Sequence, residues 1–313
     1  MPEAPKPWKS IDEQISLLQR RGMSFHDEDL ARNFLERVGY YRLSGYFYPF
    51  RKTDEHGCRI DEFLEGSRFE DVVALYVFDR KLRLLTMDAM ERIELAVQVD
   101  IAYRLGRFDP FAQHNPALVH PNALRRGRYG NGQQKSRYQS WIERYEVQVR
   151  RSANETCVRH NLEKYGRLPI WAAIQIWDFG SMSKFFSMMR HKDRKVIAGK
   201  YGIGPMELQS WLRSLNFIRN VSAHHGRLWN CAIIERARIP QGHAEFGLLD
   251  KTRPFLYFCL MKHLLNVISP RSSWGDRFIS HLESFPKPEN EAVSLRDMGV
   301  PEEIDWQQWS LWT

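Results

Sequence analysis

The sequence predicts an all-α fold. Three observations lead to this prediction: apolar residues recur with helical spacing, long stretches lack glycine and proline, and helix caps are recognisable. Strand-like alternation never continues beyond a few residues, and no internal repeat is visible. Of the 313 residues, 43% are hydrophobic and 13% aromatic, which indicates a large packed core and argues against disorder.

The helices can be placed in order along the chain. Ser10 and Glu13 form a capping box that opens a first helix, which extends to about residue 21. The longest helix is expected over residues 71–105, because this stretch contains neither glycine nor proline and stops at Gly106. Other helices are expected over residues 27–38, 137–164, from 169 onward, 208–225 and 253–268.

Within the longest predicted helix, apolar residues recur at alternating three- and four-residue steps. They are Leu75, Phe78, Leu82, Leu85, Ala89, Ile93, Ala96, Val99 and Tyr103. We interpret the charges on the other faces as a solvated surface with ion pairs at i,i+4 spacing. They include Asp79, Arg83, Asp88, Glu91 and Glu94. An alternative is that Glu91 or Glu94 faces the 208–225 helix and binds Arg219 through a bidentate bond.

The helix predicted over residues 208–225 carries the strongest candidates for chemistry. Its buried face is expected to consist of Leu208, Trp211, Leu212, Leu215 and Ile218. Arg219, Asn220, His224 and His225 lie at or near its C-terminal end, and Pro205 suits its first turn. A permanent cation beside imidazoles that titrate near neutral pH is well suited to handling phosphate.

The spacing of Arg219 and His224 is not distinctive by itself, because an arginine precedes a histidine by five positions at four places in the chain. Only this pair lies on a strongly patterned helix. On an ideal helix the two side chains diverge by about 140°. The arginine must therefore reach around the helix, or the helix must end there, or a second chain must complete the site. The alternative is a structural role, in which Arg219 stabilises helix packing and the histidines bind a helix C-terminus.

Two segments mix basic and aromatic residues, a composition that is typical of surfaces for single-stranded RNA. The first, residues 40–51, includes Tyr41 and Arg42, although such aromatic density is also typical of a packed core. The second, residues 120–152, has eight basic residues against two acidic ones and interleaves Tyr129, Tyr138, Trp141 and Tyr145. Its RNA-binding candidates are Arg125, Arg126, Arg128, Lys135 and Arg137. The alternative is a solvated insertion loop that leads into a charged helix.

Composition and absent motifs narrow the classes of function that the sequence allows. A net charge of +8, from 46 basic and 38 acidic residues, modestly favours a polyanionic partner. The four cysteines are isolated, without the paired spacing of a zinc site, which indicates a reduced compartment. No signal peptide, apolar span, HExxH, G-x-S-x-G or glycine-rich phosphate loop is found, so we expect a cytoplasmic protein without membrane contact, metal or cofactor.

One elaborated domain is expected over residues 1–313. A helical and aromatic segment (1–66) precedes a helical core (67–270), and a tail (271–313) packs back on that core through Trp306, Trp309 and Trp312. Further core residues are expected at Ile170, Trp171, Ile174, Trp177 and Phe185.

The run LNFIRNVSAHHGRLWN at residues 215–230 resembles the signature of the Abi-like phage-resistance family of the AbiD and AbiF type, whose members belong to the HEPN superfamily. Three more segments resemble that family in the same order. They are GYYRLSGY at 39–46, LPIW at 168–171 leading to Phe179 and Gly180, and MGVP at 298–301 in a tail that ends near Trp312.

This resemblance implies an HEPN-like helical bundle, elaborated here with additional helices and a basic loop insertion. It also implies metal-independent RNA cleavage through an Arg-x4–6-His motif, which maps onto Arg219 and His224, with Asn220 and His225 placed to orient or assist. Members typically join two motifs in a homodimer, and a small structured RNA is a possible inhibitor. The function expected is an antiphage or toxin endoribonuclease. The alternative is a non-catalytic RNA-binding defence protein or the partner of an RNA antitoxin.

Overall fold

The computed structural model describes residues 7–128 and 134–312, and it confirms the all-α prediction, since 62% of these residues are helical. The described helices are α1 (Ile11–Arg20), α2 (Glu28–Arg37), α3 (Tyr40–Phe47), α4 (Phe69–Gly106), α5 (Pro121–Leu124), α6 (Arg137–Arg151), α7 (Thr156–Tyr165), α8 (Ile170–Ala173), α9 (Phe179–Met188), α10 (His191–Lys200), α11 (Pro205–Ala223), α12 (Ala244–Gly247), α13 (Pro254–Ile268) and α14 (Trp274–Glu283). The capping box of Ser10 and Glu13 is present at the start of α1.

Two short antiparallel hairpins interrupt the helices. Strand β1 (Arg51–Thr53) pairs with β2 (Arg59–Phe63), and β3 (Arg126–Arg128) pairs with β4 (Gln134–Ser136). Each hairpin joins neighbouring segments of the chain and adds no sheet layer. No described helix is long and apolar enough to cross a membrane.

The 38-residue helix α4 is the axis of the molecule and is about 57 Å long at 1.5 Å per residue. It contacts α2, α3, α8, α9, α10, α11, α13 and α14. Because neighbours surround much of its length, its buried residues do not follow one straight stripe. The predicted residues from Leu75 to Ile93 are buried except Leu85, which is half-buried, as is Ala96. The prediction was wrong at Val99 and Tyr103, which are exposed, while Val97 and Ile101 are buried instead.

The interpretation of the charges on α4 as a solvated surface was wrong at one pair. Asp79 is completely buried and Arg83 is 5% exposed, and the two form an ion pair at i,i+4 spacing. The expected surface pattern is found further along α4, where Asp88 pairs with Arg92 and both side chains are partly exposed. Tertiary contacts, which helical spacing does not encode, decide which of these pairs is enclosed.

Several helix boundaries differ from the prediction. The helix expected over residues 137–164 is two helices, α6 and α7, which are separated at residues 152–155, where Ser152 caps the end of α6. Serine and asparagine compete for backbone hydrogen bonds and so favour such breaks. Helix α10 was not predicted because two of its buried residues, Asp193 and Arg194, are charged and interrupt its apolar stripe. Trp171, which was expected in the core, is 54% exposed.

Aromatic side chains near both ends of the chain are buried in the core. In the aromatic segment, Tyr46, Phe47 and Phe50 are buried, which supports a packed core there rather than a stacking surface for bases. At the other end of the chain, the indoles of Trp306 and Trp312 are also buried against the helices.

Candidate active site

Helix α11 places the candidate residues at one end of a well-buried helix. Pro205 occupies its first turn as predicted, and the side chains from Leu208 to Ile218 that were expected in the core are buried. The helix packs against α4, α9, α10 and α13. These contacts fix its axis, so the position of its C-terminal end is determined by the core.

The helix ends directly before the two histidines. His224 is the C-cap, the backbone N–H of His225 donates to the carbonyl of Ser222 (3.1 Å), and that of Gly226 donates to Val221 (2.7 Å). These bonds form a Schellman motif. His225 has φ of 59°, a left-handed conformation that costs about 1–2 kcal/mol in a residue other than glycine. Both imidazoles are exposed. The sequence left three ways in which Arg219 and His224 could act at one site, and one of them was that the helix ends there. In the structure, α11 does end between the two residues.

Cationic side chains from distant segments hold this turn. Arg42 Nη1 donates to the carbonyl of His225 (3.0 Å), and Arg83 Nη1 donates to the carbonyl of Gly226 (3.2 Å). Arg227 in turn donates to the carbonyl of Gly45. Positive charge at a helix C-terminus is favourable because it offsets the helix dipole. Arg42, which the sequence suggested as an RNA contact, therefore anchors the turn that carries His225.

Asp79 anchors the chain immediately after the turn. Its carboxylate accepts hydrogen bonds from the Tyr46 hydroxyl (2.6 Å), from Arg83, and from the backbone N–H groups of Trp229 (2.7 Å) and Leu228 (3.1 Å). Burial raises the pKa of Asp79 above its ordinary value, and Arg83 and these donors oppose that shift. The sequence reasoning missed this network, although a charged i,i+4 pair inside an apolar stripe was a usable signal.

Arg219 is half-buried and has few partners within the protein. Its Nη1 lies 3.4 Å from Oδ1 of Asn220, and its buried Nε has no hydrogen-bond partner. Among the described residues, no carboxylate lies within ion-pair distance of its guanidinium. An arginine with a structural role would be expected to form such a pair when partly buried. The salt-bridge alternative is therefore not supported, and the guanidinium remains available to a ligand.

A cavity of about 460 Å³ opens beside Arg219. It is lined mainly by α4, including Glu91, Glu94 and Gln98, together with Trp177. The alternative of a bidentate bond between a glutamate and Arg219 is not found among the described residues. Glu94 lines the same cavity as the arginine without a hydrogen bond to it. Burial raises the pKa of Glu94 to about 7, while the Arg219 cation lowers it and Asp178 raises it.

This pKa predicts a pH-dependent stability. Because the folded state holds the Glu94 proton more tightly than the unfolded state, its contribution is fully present below about pH 4.5 and is lost as the pH rises through about 7. In Glu94→Gln, which stays neutral, that loss should disappear. The variant should gain on the order of 1–3 kcal/mol over wild type between these pH values, measured by urea unfolding. Glu91→Gln, an exposed neighbour, is the control, and parallel curves for Glu94→Gln and wild type would contradict the prediction.

The basic candidates of the 120–152 segment are partly accessible. Arg125, Arg126 and Arg137 are exposed, whereas Lys135 forms an ion pair with Glu143 (2.8 Å). The side chain of Arg128 and all of Tyr129 lie outside the described residues. The exposed arginines lie at the end of α5, in the β3–β4 hairpin and at the start of α6.

The aromatic part of that prediction was wrong for three residues. Tyr138, Trp141 and Tyr145 are buried, and Trp141 stacks on Tyr145 with ring centroids 5.4 Å apart. Their spacing of three and four residues puts them on the inner face of α6. They therefore cannot stack on bases. By contrast, Tyr41 is 92% exposed and follows the prediction for an accessible aromatic beside Arg42.

Residues 7–128 and 134–312 contain no group of three or more His, Cys, Asp or Glu side chains that is arranged to hold a metal ion. The groups that the turn at the end of α11 offers for chemistry are Arg219 and the two histidines. The fold and this site together define a helical protein in which an arginine faces a cavity, has no ion pair within residues 7–128 and 134–312, and lies one turn before a helix end that bears two histidines.

The chain belongs to the Abi-like protein family, whose model matches residues 33–230, more than half of its length. The match includes α4, α11 and the turn at His224 and His225. Membership of this family implies a part in abortive infection, a defence against phage. No curated protein and no solved structure matches the chain.

Proposed function

We propose that the protein is an endoribonuclease that acts in abortive infection by cleaving RNA in the cytoplasm with its own side chains as catalysts. The observation that carries the proposal is Arg219, a half-buried cation that lines an open cavity and has no carboxylate partner in the described structure. The exposed imidazoles of His224 and His225 follow it at the end of the same helix. Membership of the Abi-like family supports a role in defence.

The proposed reaction is transesterification within RNA. An imidazole removes the proton from the ribose 2′-OH, and O2′ then forms a bond to phosphorus while the bond from phosphorus to O5′ breaks. A proton delivered to O5′ completes the step and leaves a 2′,3′-cyclic phosphate and a 5′-OH. His224 is proposed for proton transfer, with His225 as the second imidazole, and either can serve as base or acid. Arg219, oriented by Asn220, stabilises the charge on the phosphorane.

The test is cleavage of a mixed RNA pool in EDTA, with end-group analysis of the products. Wild type should cut RNA but not the matching DNA, because attack requires the 2′-OH, and the products should carry cyclic phosphates. His224→Ala should be slower by a factor of about 10²–10⁴ because it loses proton transfer. His26→Ala, which removes another accessible histidine, is the control. Equal cutting by wild type and His224→Ala would overturn the proposed role.

An alternative function, RNA binding without cleavage, is favoured by the exposed Arg125, Arg126 and Arg137. Phosphate contacts of this kind give affinity without chemistry. The same experiment separates the two functions. If wild type binds the pool but leaves it intact, the protein is an RNA-binding partner and His224 has no catalytic role.

We also propose that the active form is a homodimer. Exposed apolar side chains, Leu95, Val99, Tyr103 and Trp171, lie on or beside α4 next to the cavity of Arg219. A second copy that covers this strip would bring the Arg219 cavities of the two copies near one another. Val99→Asp should yield monomers in sedimentation equilibrium and lower cleavage, whereas Leu84→Asp, on the same helix but outside the strip, should not. Monomeric wild type would rule out the dimer.

A further inference from the structure

A second group of basic side chains lies apart from Arg219. Arg194 of α10, Arg137 at the start of α6 and His120 before α5 line a cavity of about 200 Å³, which also includes Ser187 and Gln209. Gln209 lies ten residues before Arg219 on α11, about 15 Å along the helix axis. The two cavities share no lining residue.

Arg194 is the unusual member of this group because it is buried without a carboxylate. It is 8% exposed, its Nη1 donates to the neutral Oε1 of Gln209, and its Nε has no hydrogen-bond partner. The adjacent Asp193 is already bound by Nε of Arg104 at 2.8 Å. No carboxylate in the described structure lies within 4.0 Å of the Arg194 guanidinium.

A buried charge without a counter-charge destabilises the folded protein when no ligand is bound. Burial lowers the pKa of Arg194, and the positive charge of Arg137 lowers it further. Arg83 differs in this respect, because that arginine is equally enclosed but is paired with Asp79. Buried cations are normally paired or hydrogen-bonded. A buried, unpaired arginine beside a second arginine is therefore expected to take its counter-charge from a ligand.

The remaining groups offer hydrogen-bond donors. Arg137 Nη2 already donates to the Ser187 hydroxyl (2.8 Å), which leaves its other N–H groups for a ligand. Nδ1 of His120 accepts from the backbone N–H of Asn122 (3.2 Å), so that the neutral ring carries its proton on Nε2. Positive charge and N–H donors converge on one small cavity, which matches the requirements of a tetrahedral oxyanion.

We propose that the cavity lined by Arg194, Arg137 and His120 is a phosphate-binding site, separate from the proposed catalytic residues. The phosphate belongs to an RNA backbone or to a free phosphorylated ligand. Both present the same oxygen atoms to the arginines. Occupation would neutralise Arg194 and would fix α6, α10 and α11 relative to one another, so binding should stabilise the folded protein.

Thermal unfolding in phosphate and in chloride at equal ionic strength tests the site. Phosphate should raise the midpoint temperature of unfolding of wild type by more than its general salt effect. The apparent affinity for phosphate should fall by at least about tenfold in Arg194→Gln. Gln209→Glu, which has nearly the same shape, is expected to fold and to supply an internal carboxylate to Arg194. It should therefore raise the midpoint in chloride and abolish the phosphate response. Arg213→Gln, which removes an exposed arginine that pairs with Glu235, should respond as wild type does.

A second measurement identifies the source of the phosphate. Binding of a labelled oligoribonucleotide is followed over a range of salt concentrations for wild type and Gln209→Glu. A salt slope that is smaller by about one in the variant indicates an RNA phosphate, and an unchanged slope indicates a free phosphorylated ligand. The site is disproved if Gln209→Glu and wild type respond equally to phosphate. That result is independent of RNA cleavage, because neither measurement requires chemistry.

Discussion

Replacing Arg219 with alanine is expected to lower the rate of RNA cleavage by a factor of about 10²–10³, while RNA affinity falls by less than about tenfold. The reason is that the guanidinium faces a cavity and has no carboxylate partner in the described chain. In the proposed reaction its charge is therefore free to stabilise the transition state. The cleavage rate of Arg219→Lys should lie between those of wild type and Arg219→Ala, since lysine keeps the charge but loses the planar pair of donors.

Arg219→Ala is also expected to fold normally. Removal of a half-buried cation that lacks an ion pair should change the free energy of unfolding by less than about 1 kcal/mol. Arg213→Ala on the same helix is the matched control for both measurements, because Arg213 is exposed and pairs with Glu235 (2.7 Å). Single-turnover cleavage at the wild-type rate in Arg219→Ala would contradict the assignment of this residue to the reaction.

Replacing Asp79 with alanine is expected to have the largest effect on stability, a loss of about 3–5 kcal/mol. The variant leaves Arg83 as a buried cation without its partner and removes the acceptor for the backbone N–H groups of Leu228 and Trp229. The turn at His225 and Gly226 should then lose its anchor, so cleavage should also fall. Urea unfolding measures the first effect, and cleavage at a temperature where the variant is folded measures the second.

A control and a double variant sharpen this prediction. Asp88→Ala removes a partly exposed carboxylate from the same helix and should cost less than about 1 kcal/mol. Asp79→Ala combined with Arg83→Met removes the unpaired cation but should recover only part of the loss, because the two backbone N–H groups remain without an acceptor. If Asp79→Ala were no less stable than Asp88→Ala, the anchoring role would be wrong.

Local signals in the sequence were sufficient for much of the helical framework. The capping box at Ser10, the end of α4 at Gly106 and the proline in the first turn of α11 all depend on residues within one or two turns of each other. The position of Arg219 and of the two histidines near the end of a buried helix follows from the same spacing. Such features involve contacts between near neighbours, which sequence patterns record directly.

Only the tertiary structure decided which side chains these helices enclose. Asp79 has the same i,i+4 spacing to a basic residue as Asp88 has, yet α3 and the chain after α11 bury the first pair and leave the second at the surface. In the sequence, Arg194 is one of several charges in its segment. In the structure, α6 and α11 enclose it. Burial depends on residues that are distant in sequence, so the unpaired state of Arg219 and Arg194 could not be read from spacing alone.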